Sequence, residues 1–488
     1  MTDNSNIPAW VKDAVFYQIF PDRFAKSEKV PKPNHLEQWD SPPTINGFKG
    51  GDLRGVFERL DYLQELGINA IYLNPIFQSA SNHRYHTHDY YQVDPLLGGN
   101  DAFMDLLREA HQRGIRIVLD GVFNHASRGF FQFNHILETG RSSPYQDWFT
   151  IKEFPLNAYD GKPNYKCWWG LPALPEFNTD NPTVRQFIFD IAQYWIDQGI
   201  DGWRLDVPFS INDDTFWQEF RQIVKSANPD AYLVAEIPWE AQHWLQGDQF
   251  DAVMNYQFTQ ACLGFFANEH IDRSVENGMM GLPETPILDA ETFTERVQEL
   301  INLYPHQASY AQLNLLDSHD MPRFITLASG DKQSLQLSML FQMVYPGAPC
   351  IYYGDEIGMS GGKSGQPEPS RAAFSWDQTT WDHELLNFYK RCINLRKNQG
   401  SLRHGQFSVL HAEGKICAFL HQLDKDILIS IFNNQEKEYP LDINLEDSEF
   451  LQGRWTDLLS GNTATCANAH LTGSTLAGRS GCVLIRQA

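Results

Sequence analysis

A chain of 488 residues with 42% hydrophobic and 20% charged residues can bury at least one large core and has the balance of a folded globular protein. Its formal net charge of -23 argues against nucleic-acid backbones and anionic membranes as partners and fits a neutral ligand. Seven scattered cysteines form no CxxC pair, which points to thiols placed by packing in a reducing compartment. Met1 to Ala14 show no basic start followed by an apolar run, and no stretch has the roughly eighteen apolar residues of a membrane helix. The expectation is a cytoplasmic protein with no membrane partner.

From about Ala14 to Lys397, short apolar strand-like runs alternate with longer helix-like ones. The strand candidates are Ala14–Phe20, Ile68–Leu73, Ile115–Asp120, Gly202–Asp206, Ala231–Glu236, Phe250–Asn255, Leu313–Asp317 and Pro349–Tyr353. Between them, Asp101–Arg113 repeats apolar residues at helical spacing and is stopped by Gly114. Thr183–Gln198 follows Asn181-Pro182, a cap and a first-turn proline, and Leu335–Val344 and Leu385–Arg396 have similar patterns.

Eight strands with intervening helices predict an α/β fold, a (β/α)₈ TIM barrel over residues 1–125 and 179–400. Residues 126–178, rich in aromatics, Gly and Pro, are too long for a plain loop and are expected to form a subdomain inserted after the third strand, over the barrel mouth. Residues 401–488 shift to short alternating runs and predict a C-terminal all-β sandwich domain, with Asn433-Asn434 marking a hairpin.

Polar residues gather at the C-terminal ends of the strand candidates: Asp120, Asn124 and His125; Arg204 and Asp206; Glu236; Asp317, His319 and Asp320. In a barrel those ends share one mouth. Glycoside cleavage needs two carboxyl groups, one to attack the sugar or activate water and one protonated to serve the leaving oxygen. Neighbouring carboxyls meet that need, because repulsion keeps a proton on one of them. Arg204, two residues before Asp206, points into the same interior and can hold that carboxylate ionised. Taken from the residues alone, the cluster suits hydrolysis or transfer, and carboxylates with histidines also suit a metal.

Gly202-Trp203-Arg204-Leu205-Asp206-Val207 resembles the fourth-strand signature of the α-amylase superfamily, and Glu236-Ile237-Pro238-Trp239 resembles its fifth-strand motif. Leu315-Leu316-Asp317-Ser318-His319-Asp320 resembles the seventh-strand motif, Asp120-Gly121-Val122-Phe123-Asn124-His125 the third, and His83-Arg84-Tyr85 the segment after the second strand. Tyr17 to Phe24, Gly51 to Val56 and Leu174 to Asn178 resemble further family segments, all in the family's order. The resemblance implies Asp206 as nucleophile, Glu236 as general acid/base and Asp320 as transition-state stabiliser. It further implies that His83, Tyr85, His125, Arg204 and His319 bind the sugar at the cleavage point, with Asp120, Asn124 and Arg323 as structural neighbours.

Within the superfamily the chain is most similar to the cyclomaltodextrinase, neopullulanase and maltogenic amylase group. The first strand begins at about Ala14, so that group's extra amino-terminal domain is expected to be missing. Pro238-Trp239 around Ile237, Asp317 and His86 depart from the group's usual residues and bear on which glucan binds. Trp168, Trp169 and Trp239 are candidate sugar platforms, since a pyranose offers an apolar C–H face to a ring. Phe209 and Ser210 stand where secreted amylases place a calcium-linked Lys-His pair, and Ala25-Lys26-Ser27-Glu28 offers few oxygens, so no metal and no cofactor is expected. The expected activity is retaining hydrolysis of α-1,4 or α-1,6 glucosidic bonds in maltooligosaccharides, cyclodextrins or branched maltodextrins, debranching included. A glucanotransferase or isomerase on the same scaffold and a non-catalytic glucan-binding protein are the alternatives.

Overall fold

In the computed structural model, which describes residues 7–276, 279–363, 365–445 and 451–486, eight parallel strands close into a barrel. They are β1 (Phe16–Ile19), β2 (Ala70–Leu73), β3 (Arg116–Gly121), β4 (Gly202–Leu205), β5 (Tyr232–Ala235), β6 (Ala252–Asn255), β7 (Leu313–Leu315) and β8 (Ala348–Tyr352), and they follow one another round the ring in chain order. All their residues except Arg116 are buried, as strands covered by helices outside and packed side chains inside must be. Gly202 starts β4 where β5 presses close: a Cβ there would lie 2.2 Å from the Tyr232 carbonyl oxygen.

Each expected strand is present, and most are shorter than the apolar run suggests. Asp206 and Glu236 follow the last residues of β4 and β5, and Leu316 and Asp317 have already left the sheet after β7. The cause is local: Asp317 Oδ2 accepts the Phe324 backbone N–H at 2.6 Å, which turns the chain away from the ladder. Outside the ring, helix Gly99–Gln112 buries Ala102, Phe103, Leu106, Leu107 and Ala110 along one stripe. Helix Pro182–Asp197 starts at Asn181, whose Oδ1 accepts from the Thr183 N–H, with Pro182 in its first turn. Lys332–Val344 and His383–Asn398 complete the helices anticipated from spacing.

The chain between β3 and helix Pro182–Asp197 forms an inserted subdomain. It carries helix Phe131–Thr139 and antiparallel bridges pairing His125 with Glu176, Phe149 with Phe177, and Ile151 with Tyr165. Phe133 sits at its centre, 4.9 Å from the ring of Phe149 and 5.0 Å from that of Tyr165.

Beyond the barrel lie β9 (Gln406–Glu413), β10 (Ile416–Leu423), β11 (Asp426–Asn433), β12 (Tyr439–Asn444), β13 (Gly453–Asp457), β14 (Thr463–Ala467), β15 (His470–Leu476) and β16 (Ser480–Arg486). They pair antiparallel in the order β9-β10-β11-β16-β13-β14-β15-β12. Alternation splits β11 between two cores: Ile427, Ile429 and Ile431 join the domain's own interior, while Leu428 and Phe432 join the barrel's core. Phe432 packs 5.6 Å from Phe341 of a barrel helix.

Asn433-Asn434 does not form the expected hairpin, because β12 pairs with β15 and not with β11. Tight reversals lie instead at Gly414, Asp424 and Asn468-Ala469, all with positive φ. Asn433 instead donates to the carbonyls of Lys437 and Ala477, and Asn434 to that of Phe265, fixing a crossing connection. The seven cysteines are free thiols, six of them buried. No described helix is long and apolar enough to cross a membrane.

Candidate active site

Arg204 is the centre of the barrel mouth. β4 delivers it fully buried, and its Nη1 donates to Asp120 Oδ1 at 2.9 Å and to Asp206 Oδ1 at 3.0 Å. Its Nη2 pairs with Glu236 Oε1. One guanidinium therefore gathers carboxyls from the ends of β3, β4 and β5, which its fixed fork of donors suits. Val207, next to Asp206, holds φ 36°, a left-handed conformation that strains a β-branched residue. That conformation aims its N–H at Glu236 Oε2, 3.1 Å away.

Burial raises the Asp206 carboxyl well above the ordinary range, and the charge of Glu236 adds to it. Burial likewise raises Glu236 to about 7, against the pull of Arg204. The two titrate as a pair that retains one proton near neutrality, the state glycoside cleavage requires.

Asp320 is set on the other side of the mouth. His319 Nε2 lies 2.9 Å from its Oδ2, and Arg371 Nη2 donates to its Oδ1 at 2.7 Å. Burial alone would raise this carboxyl, but those two neighbours pull it well below the ordinary range, so it stays ionised. Gln18 Nε2 donates to His319 Nδ1 at 2.9 Å, which leaves the proton on Nε2, the nitrogen facing Asp320. The Tyr85 ring stacks on His319 with centroids 5.6 Å apart, and its hydroxyl donates to Asp120 Oδ2 at 2.8 Å. His83 lies 5.7 Å from Tyr85, ring to ring. His125 Nε2 is 3.3 Å from the Tyr85 carbonyl oxygen, Asn124 contacts its Nδ1, and burial lowers its pKa to about 3, leaving a neutral ring.

The structure thus brings together Asp120, Arg204, Asp206 and Glu236 in one network, and Tyr85, His319 and Asp320 in a second joined to it through Asp120. Arg323 stands outside both: it pairs with Asp355 at 2.8 Å, behind the mouth. The tryptophans divide. Trp168 approaches His125 at 5.5 Å and stacks under Trp169 at 4.8 Å, nearly parallel, while Trp169 is 84% exposed. Trp239 is half-exposed and packs 4.7 Å from Phe209.

Three residues of the network are not among those the sequence singles out. Arg371 comes from an aperiodic loop after β8, and Gln18 and Asn74 from the ends of β1 and β2, where Asn74 donates to the Tyr85 hydroxyl at 3.1 Å. Gln18, inside the Tyr17-to-Phe24 segment, was a polar residue in an apolar run, which is the one clue the sequence held.

The catalytic-domain family described as "Alpha amylase, catalytic domain" matches residues 18–384. A cyclomaltodextrinase from a Bacillus species is 45% identical over 439 residues, covering 89% of this chain and 75% of its own length. Among solved structures, Ttha1563 of Thermus thermophilus superposes with a TM-score of 0.94 at 44% identity, covering 98% of this chain and 100% of that one. The debranching enzyme of Nostoc punctiforme superposes with a TM-score of 0.87 at 46% identity, covering 98% of this chain and 99% of that one. By family match, chain-wide identity and fold, the chain belongs to the α-amylase superfamily, within the cyclomaltodextrinase, neopullulanase and maltogenic amylase group.

Proposed function

We propose that this chain hydrolyses α-glucosidic bonds with retention, Asp206 attacking the anomeric carbon while Glu236 gives its proton to the leaving oxygen. The observation that carries the assignment is Arg204 spanning Asp206 and Glu236, with one proton between two buried carboxyls. In the second step Glu236, now a base, takes a proton from water, whose oxygen displaces Asp206 from the sugar. Asp320, held ionised by His319 and Arg371, accepts from sugar hydroxyls and strengthens those bonds as charge develops at the ring. Tyr85 supplies the stacking face, with His83 and His125 as neutral hydrogen-bond partners.

The preferred bonds in this reading are α-1,6 branch points or α-1,4 links of short or cyclic maltodextrins. The Bacillus relative is a cyclomaltodextrinase and the Nostoc punctiforme protein a debranching enzyme, and the same two carboxyls serve either linkage. Selection then falls to the leaving-chain side, where Trp239 and Trp169 offer exposed rings and the partly covered Trp168 backs Trp169. Residues 126–178 act as the subdomain that carries two of those rings, and 401–488 as a separate β domain. The free, mostly buried thiols support a cytoplasmic setting.

Early-time NMR of the product from maltoheptaose tests the mechanism: α anomer is expected, and initial β anomer defeats the assignment of Asp206. Values of kcat/KM on β-cyclodextrin, maltoheptaose, pullulan and a singly branched maltooligosaccharide test the linkage, and preference for amylose alone defeats it.

A further inference from the structure

Residues 31–50 cross the surface near the barrel mouth with turns and no regular element. At the end of this stretch Lys49 folds its side chain inward until none of it is exposed. Its Nζ donates to the Gln38 carbonyl oxygen at 2.6 Å, the Ser41 carbonyl oxygen at 2.5 Å and Ser41 Oγ at 2.6 Å. Glu37 Oε2, 3.3 Å away, supplies the counter-charge. An ammonium has three N–H donors, and here three oxygens take them. Two carbonyls, a hydroxyl and a carboxylate about one buried positive charge form the kind of oxygen cage that a free cation occupies elsewhere.

The closed loop then meets the segment that carries His83 and Tyr85. Asn82 Nδ2 donates to the carbonyl of Gly47 at 2.8 Å and to that of Ile45 at 3.1 Å. Arg23 Nη2 reaches the same Gly47 carbonyl at 2.8 Å. Arg84, with φ 61°, spreads its guanidinium over Phe48 at 5.2 Å and pairs with Asp94 and Asp22. Asp22 in turn accepts from the Lys49 and Gly50 backbone N–H groups at 2.8 and 3.2 Å. Glu37 Oε1 accepts the Thr44 backbone N–H at 3.2 Å, and the Thr44 carbonyl takes the Gly47 N–H at 3.2 Å, so contacts run from the Lys49 ammonium through Glu37, Thr44, Gly47 and Asn82 to the neighbours of Tyr85.

We propose that Lys49 is a positioning residue, a cation supplied by the chain itself, which closes the 37–50 loop and so holds His83 and Tyr85 at the mouth. With its side chain removed, the cage becomes a site for a free monovalent cation of ammonium or potassium size. The proposal rests on the reading of Tyr85 as a sugar platform. A lysine tethered in such a cage loses little entropy on closing it, whereas a dissolved ion must be captured from solution.

The test compares Lys49→Ala, Lys49→Met and Tyr85→Ala with the parent chain, measuring kcat, KM and Tm on maltoheptaose. Ammonium, potassium and tetramethylammonium chlorides are titrated at constant ionic strength. Lys49→Ala is expected to lose about tenfold in kcat/KM, mostly through KM, as a platform displaced by a fraction of an ångström would. Ammonium or potassium should restore both KM and Tm saturably, and tetramethylammonium, too large for the cage, should not. Lys49→Met keeps the stem in the cage without its charge, so it should show the defect and no rescue. Parental kcat/KM in Lys49→Met, or a Lys49→Ala defect that no cation changes, overturns the proposal. Should Lys49→Ala fail to fold, Lys49→Met alone decides by the same kinetic criterion. If Tyr85→Ala is itself unimpaired, the platform reading fails instead, and the two failures are distinct.

Discussion

Two clusters in this molecule share one recipe, and only one of them is built for chemistry. Arg204 lies with Asp206 and Glu236, and Arg323 lies with Asp355 and Asp317; all six groups are buried, and burial raises all four carboxyls. The difference is in what closes each cluster. Arg323 is covered by the rings of Tyr352 at 4.5 Å and Tyr353 at 5.0 Å, Asp317 takes the Phe324 N–H, and Asp317 and Asp355 share a hydrogen bond. Asp206 keeps an 8% opening, beside the strained Val207. A displaced carboxyl pKa is therefore a poor marker of function by itself, and access to a reacting atom separates the two.

The sharpest break between the clusters is kinetic. Asp206→Asn removes the attacking oxygen, and kcat on maltoheptaose is expected to fall about 10⁴-fold or more, the scale seen when a nucleophile is deleted. Asp317→Asn keeps shape and hydrogen bonding behind the mouth and should stay within about twofold, since Asp317 is buried against Phe324 and Asp355. Comparable losses in the two variants would mean that the rear cluster takes part in the reaction.

The second contrast is in stability. Arg323→Met strands two buried carboxyls and is expected to cost about 3–5 kcal/mol, read from the urea unfolding midpoint. Asp317→Asn leaves the pair of Arg323 and Asp355 intact and should cost about 1 kcal/mol or less. An Arg323→Met variant as stable as the parent would show that the carboxyls alone, sharing a proton, hold this corner.

The front cluster was legible in the sequence and the rear one only in part. Asp206 and Glu236 end apolar runs, and a carboxylate at the end of a buried strand stands out before any fold is known. Arg371 could not be found that way. It grips Asp320 from an aperiodic loop, and its partner is 51 residues away in sequence. Gln18 and Asn74 acquire their roles only when the barrel closes and seats β1 between β2 and β8. Several strands stop one or two residues before the apolar run does, because apolar character continues after the ladder ends, as at Leu316. Asn433-Asn434 departs from the expected hairpin for a related reason: turn residues mark a change of direction and leave the choice of partner strand to long-range packing.

A third prediction concerns the proton that the front cluster holds and the rear cluster hides. With Glu236 raised to about 7, kcat/KM on maltooligosaccharides should fall as pH rises through that value, because the acid is then ionised. A glucosyl fluoride, whose leaving group needs no proton, should fall less. The sign for stability follows from the same shift. A carboxyl raised in the folded state contributes stability below its ordinary value of 4.5, and that contribution is lost as pH rises through about 7. The loss is roughly 3 kcal/mol at most. Glu236→Gln cannot ionise, so its Tm should exceed the parent's at pH 8 and not at pH 4. A Tm difference independent of pH would place the retained proton elsewhere.

The smallest effect expected is that of chelation, and it bears on how both clusters are neutralised. Asp120, Asp206 and Glu236 meet Arg204, Asp320 meets Arg371, and Asp355 meets Arg323. The amino-terminal loops follow the same pattern: Lys32 Nζ lies 2.5 Å from the buried carboxylate of Asp52, and Lys49 fills the cage of Glu37 and Ser41. Each cluster of negative charge thus already holds a cation covalently part of the chain, and a hard divalent ion would have to displace a guanidinium or ammonium to gain its six or more oxygens. Among the described residues, no group of three or more histidine, cysteine, aspartate and glutamate side chains is placed to hold a metal. Dialysis against EDTA should therefore move Tm by about 1 °C or less, an energy of about 1 kcal/mol or less for a chain of this size, and leave kcat unchanged. If EDTA lowers both and calcium restores them, a site built largely from main-chain carbonyls must stabilise the barrel. The built-in cations would then be additions to a metal, and the likeness between the two carboxyl clusters would end at their arginines.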